Sequence, residues 1–199
     1  MSASARALLV AQVGFLVALA VCILMDSRGL HDNHGWSYYE EHGRTFLPYL
    51  LGFSWLVFWI WQAAGLLTRS SAPATLAPAL KLLAILFLVD VATPDTVNTA
   101  FSWAHDFSST LLFLYELGFA IWLVVAVWPT WTGRALLLVQ FVGGLIAMFS
   151  FVVELVSQLG LGILLFQLSF GALLVAATAQ FRELAPEPSR REDVVVGRA

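Results

Sequence analysis

Six runs of about twenty apolar residues constrain this chain more than any other feature. They cover about 6–25, 46–68, 78–97, 107–128, 135–156 and 160–181. A helix rises about 1.5 Å per residue, so about 20 residues cross the roughly 30 Å hydrocarbon layer of a bilayer. Each run predicts a membrane-spanning helix, because a helix satisfies its own backbone groups where water is absent. Composition agrees. Of 199 residues, 60% are apolar and 12% charged, against about 45–50% and about 25% in soluble domains. The expected fold class is all-α, a polytopic bundle of six transmembrane helices over residues 1–181. A charged tail with Pro186 and Pro188 follows over 182–199 and reads as flexible.

The breaks carry helix-ending chemistry. Asp26-Ser27-Arg28-Gly29 closes the first run, Pro78 and Pro94 bracket the third, and Trp128-Pro129-Thr130-Trp131-Thr132-Gly133-Arg134 forms a tight turn before the fifth. The turn around Ser157-Gln158-Leu159-Gly160 is short, so the fifth and sixth runs form an antiparallel hairpin. Leu19-Ala20-Val21-Cys22 has some features of a lipoprotein box. However, the apolar run continues to Met25 and Val21 is bulky, so the first run reads as an uncleaved span with a buried Cys22.

Basic residues orient the bundle. With the N-terminus inside, Arg6, Arg69, Lys81, Arg134, Arg182, Arg190, Arg191 and Arg198 face the cytoplasm, and only Arg28 and Arg44 lie outside. Both termini are then cytoplasmic, and the chain is a multi-pass protein of the inner (plasma) membrane. The formal net charge of −3 gives no reason to expect a nucleic-acid partner. The expected partners are membrane lipids and, given the small size, a second copy in a homo-oligomer.

The same orientation explains a polar island. "HDNHGWSYYEEHGR" (31–44) becomes the first outer loop, and the second, about 94–106, carries Asp95, Asn98, His105 and Asp106. All four histidines then share one side, which predicts an outward-facing polar site. Three acids lie within the runs: Asp90 and Glu154 near outer ends, and Glu116 near the middle. A carboxylate in hydrocarbon is costly and faces the bundle interior or a wet cavity. The spans offer no basic partner at those depths, so these acids are protonated, bound to neutral donors, or facing a wet vestibule or a bound cation; Gln140, Gln158, Gln167, Ser150 and Ser169 could supply the neutral donors. Asp90, His105, Asp106, Glu116 and Glu154 are therefore the candidate polar-site residues.

His31-x-x-His34, with His105 and Asp106, could supply neutral imidazoles and oxygens to zinc. No His-Glu-x-x-His motif is present, and the alternative is a set of hydrogen-bonded loop histidines. The second run, "TFLPYLLGFSWLVFWIWQAAG", places Trp55, Phe58 and Trp59 on one face, for lipid contact, helix packing or an acyl-chain groove, with Tyr49 in an interfacial belt. Gly143-Gly144 and Gly160-x-Gly162 permit close helix approach. The chain has no phosphate-cradling glycine loop, no nucleophile elbow and no pair of discontinuous helices marking inverted repeats.

Three stretches share a layout with a known group. "SYYEEHGRTFLPYLLGF" enters the second run from a long loop, "WAHDFSSTLLFLYELGFAIW" opens the fourth with a His-Asp pair, and "VELVSQLGLGILLFQLSFGALL" joins the last two. Across about 5–181 this resembles the DRAM/Sfk/FGF-receptor-activating-type membrane family, especially its bacterial and archaeal relatives. The residues that match are Tyr38, Gly43, Pro48, His105 and Asp106; Gly162-Ile163-Leu164 departs from the Trp-Glu-Arg-like run of relatives. The resemblance implies lipid-related work, since eukaryotic members are linked to lipid remodelling, GPI-anchor maturation, phospholipid distribution and autophagy.

Three functions stay open at this point: lipid handling or sensing through the outer polar site, a metal-dependent membrane hydrolase, and a proton- or cation-coupled carrier using Glu116. No residue pattern decides whether the chain is an enzyme.

Overall fold

The computed structural model describes residues 1–30, 35–94, 99–152 and 156–181. The described residues form helices and connections: α1 (Ala3–Met25), α2 (Tyr38–Glu41), α3 (Phe46–Leu67), α4 (Leu76–Val91), α5 (Thr99–Trp122), α6 (Trp131–Val152) and α7 (Val156–Ala179). Five stretches are long and apolar enough to cross a membrane: Ala3–Met25, Phe46–Leu67, Thr99–Val127, Trp131–Ser150 and Gln158–Ala179. α4 has 16 residues and is about 24 Å long, short of a full hydrocarbon layer.

The first two expected runs match α1 and α3 closely, and the next four shift. The third ends at Val91 rather than 97, because Pro94 disfavours helical backbone at the residue before it. Thr93 turns its hydroxyl back to the carbonyls of Val89 (3.0 Å) and Asp90 (3.1 Å). The fourth starts at Thr99, not 107, so much of the expected outer loop is helix. It continues through a π-helical turn at Leu123–Val127, closed by Trp128 N–H to the Leu123 carbonyl at 2.7 Å. The fifth starts at Trp131, not 135, because the Thr130 hydroxyl caps it by accepting from Gly133 N–H at 3.1 Å. The sixth runs from Val156 to Ala179. Glu154 and the 182–199 tail lie outside the described residues.

The helices pack around a ring in the order α5, α4, α3, α1, α7, α6, with α5 closing against α6 and α7. The Ser2 hydroxyl donates to the Thr178 carbonyl at 3.0 Å, so α1 begins and α7 finishes at the same end of the bundle. α6 and α7 touch backbone to backbone. A Cβ on Gly162 would lie 2.5 Å from Ala147 N, and one on Gly143 would lie 2.7 Å from Phe166 N. Aromatic contacts fill the other side of the core. Phe53 meets Phe15 of α1 at 4.9 Å and Phe87 of α4 at 6.1 Å between ring centroids. Tyr49, expected at an interface, is buried here and packs on Phe53.

The described residues between α1 and α3, 26–30 and 35–45, form a cap over the end of the bundle opposite Ser2 and Thr178. Asp26 ends α1 and accepts from Arg28 Nη2 at 2.6 Å, Arg28 Nε at 2.9 Å and Tyr38 Oη at 3.0 Å. The Arg28 guanidinium holds the Asp26 carboxyl well below the usual carboxylate range. His42 stacks on Tyr38 with centroids 3.8 Å apart and directs Nδ1 to the Tyr38 carbonyl at 2.7 Å. Thr45 donates its hydroxyl to the Tyr39 carbonyl at 2.9 Å. Tyr39 is buried beneath them, and burial pushes its phenol up to about 12.

Candidate functional site

One face of α5 carries the chemistry. His105, Ser108, Leu112 and Glu116 are all buried, at spacings of three and four residues that keep them on one side of the helix. Two polar layers result, with Leu112 between them.

The first layer lies under the cap. His105 Nδ1 is 2.9 Å from the Thr93 carbonyl, which can only accept. In the neutral ring Nδ1 therefore carries the proton and Nε2 accepts, receiving the Ser37 hydroxyl at 2.9 Å. Ser109 donates to Asp90 Oδ1 at 2.5 Å, and its oxygen stands 3.4 Å from His105 Nε2. Ser108 Oγ lies 3.3 Å from Asp90 Oδ1, 3.0 Å from the His105 carbonyl and 3.2 Å from Thr93 Oγ1. Asp90 thus joins α4 to α5, and His105 joins α5 to the cap.

The second layer is deeper. Glu116 follows His105 by eleven residues, about 16 Å along the axis. It is fully buried, and Gln167 of α7 donates Nε2 to its Oε2 at 2.7 Å. The other carboxyl oxygen, Oε1, is buried without a partner, as are both amide atoms of Gln140 on α6. Of the neutral donors expected for Glu116, Gln167 is the one that reaches it. Ser169 turns back to its own helix at Leu165 and Phe166, and Gln158 is exposed.

The candidates therefore separate. Asp90 and His105 come together, Glu116 stands in its own layer, and Asp106 is exposed. Adjacent helix residues do not share a face, so Asp106 points away from His105. His31 and His34 lie outside the described residues, and among the described residues no three His, Cys, Asp or Glu side chains group to hold a metal ion. Ser37, Thr93, Ser108 and Ser109 were not singled out in the sequence. The available signal was the spacing of His105, Ser108 and Ser109, visible only once the helix is known to begin at Thr99.

The aromatic run on α3 divides as well. Phe58 lines a groove against α4, together with Leu50, Phe53, Ser54, Val57, Trp61, Phe87, Leu88 and Val91, and the groove holds ≈ 340 Å³. Trp55 turns to α1, where its Nε1 donates to the Val10 carbonyl at 2.9 Å. Trp59 packs between the rings of Trp55 and Phe58. No family model, curated protein or solved structure matches the chain.

Proposed function

We propose that this is a six-span protein of the inner membrane that handles lipid, with an acyl chain in the α3–α4 groove and the headgroup at the polar, capped end. One observation carries this reading. The groove is apolar except for Ser54, and runs from Leu50 and Val91 at the capped end to Trp61. Val91 follows Asp90 directly, so the mouth of the groove lies level with the Asp90–His105 network. Its volume falls in the usual range for small-molecule sites, about 300–1,000 Å³. The layout likeness to a lipid-associated membrane family points the same way.

The even span count has its own support. The Ser2–Thr178 hydrogen bond joins the start of α1 to the end of α7, and an odd number of crossings would separate them. α4 is then the sixth span, met by local thinning of the bilayer or by tilt of its neighbours. The basic-residue bias favours cytoplasmic termini.

Native mass spectrometry of the detergent-purified protein tests the lipid reading. The wild type is expected to carry bound lipid, and Leu88→Trp, which fills the groove, to lose it. A lipid-free wild-type spectrum, or equal retention by a folded Leu88→Trp protein, contradicts the proposal.

A further inference from the structure

Glu116 and Gln140 each bury polar atoms that meet no protein partner, and the helix register brings them to one level. Gly144 of α6 fixes that register. A Cβ there would lie 2.7 Å from Phe113 Cζ on α5 and 3.3 Å from Phe166 Cδ2 on α7. Phe113 and Phe166 are themselves stacked, with centroids 4.2 Å apart. Residues 113, 144 and 166 therefore mark one point where three helices meet. α5 and α7 run away from the cap and α6 runs towards it, so Glu116, Gln140 and Gln167 all lie on the far side of that point. Each is within about one turn of it. Gln140 precedes Gly144 by four residues and shares its face.

Both Glu116 and Gln140 are 0% exposed. The unmet atoms are Glu116 Oε1, Gln140 Oε1 and Gln140 Nε2: two acceptors and one donor. Buried polar groups of this kind have partners, so an unexplained set points to a guest. Charge narrows the choice. α5, α6 and α7 bring one carboxyl and no Lys, Arg or His to this level, and Lys81 of α4, at a similar depth, lies over the Trp61 ring of α3 instead, so an uncharged interior calls for a single positive charge. A divalent calcium or magnesium ion would leave an excess positive charge beside the single carboxyl of this layer.

We infer that Glu116, Gln140 and Gln167 form a buried site for one monovalent positive charge, either a proton held with a water molecule or a sodium ion. Glu116 Oε1 and Gln140 Oε1 face the charge. Gln140 Nε2 donates to the accompanying water. Gln167 holds Oε2 and fixes the carboxyl plane. The site shares no residue with the α3–α4 groove, so it stands or falls separately from lipid binding.

A hydrophobic carbodiimide tests this, because it condenses with protonated carboxyls. The full chain in detergent is treated across a pH series in sodium and in choline buffers, and the adduct is mapped by peptide mass spectrometry. Glu116 is expected to react. Slowing of several-fold by sodium but not by choline identifies sodium as the guest, and a rate that follows pH alone identifies the proton. Gln140→Leu is expected to remove the sodium protection or to shift the pH response, with Gln140→Met used if the first variant does not fold. Two results overturn the inference. One is a folded wild type in which Glu116 stays unreacted in every buffer. The other is a folded Gln140 variant whose reaction keeps the wild-type sodium and pH response, the signature of an orphan amide with no guest.

Discussion

The two polar layers on the buried face of α5 are finished in opposite ways. Around His105 and Asp90, hydroxyls and backbone carbonyls from α4, α5 and the cap close the network, and it contributes no atom to the buried groups left unpartnered. Around Glu116, one amide makes one hydrogen bond while three atoms of Glu116 and Gln140 stay open. The difference follows from what each helix brings. Short hydroxyl side chains at the capped end can rotate to suit, whereas the deep layer is met only by two long amides fixed by close helix packing. A closed network makes a rigid joint; an open one leaves room for something that is not protein.

The harshest break to that contrast is Gly162→Leu. A Cβ at Gly162 already lies 2.5 Å from Ala147 N and 2.8 Å from the Gly143 carbonyl, so the α6–α7 contact that brings Gln140 and Gln167 together must part. The expected cost is about 3 kcal/mol or more, seen as loss of the folded peak in size-exclusion chromatography. A normal peak and melting profile would mean that the hairpin tolerates separation.

Next comes a direct exchange between the layers. Asp90→Ala strands Ser109 beneath the cap and is expected to cost about 2–4 kcal/mol. Glu116→Gln keeps an oxygen for Gln167 and is expected to stay within about 1 kcal/mol of wild type. Thermal unfolding in one detergent compares the two, and the reverse ranking would erase the distinction between closed and open layers.

The smallest effect lies outside both layers, at Asp26. Arg28 lowers its carboxyl, so the cap contribution is whole at neutral pH. It is lost only as pH falls below about 4, where the unfolded carboxyl takes up a proton first. The melting difference between wild type and Asp26→Asn should be constant down to about pH 5 and shrink below about 4. A difference that instead grows on acidification would assign the wrong sign to this pair.

Much of this was legible in the sequence where polarity and helix ends coincide. α1 and α3 are bounded by Asp26 and Thr45, and apolar runs locate both. Hydropathy starts α5 too late because Thr99–His105 is polar and aromatic yet helical; the hydrogen bonds of His105 run to Thr93 and to Ser37 of the cap, and hydropathy does not register them. A neutral donor is one of the partners that chemistry leaves open to Glu116, and Gln167 supplies one. That Ser169 would bond its own helix, and that Gln140 would meet nothing, depends on side-chain direction after packing. Ser37 could not be tied to His105 from sequence, since 68 residues separate them and a lone serine has no spacing pattern.

Infrared difference spectroscopy of the carboxyl stretch, with Glu116→Gln and Asp90→Asn used to assign the bands, tests the contrast most directly. The Glu116 band is expected to move when pH or sodium concentration is changed, while the Asp90 band, held in its closed network, stays in place. A silent Glu116 band beside a responsive Asp90 band would contradict it.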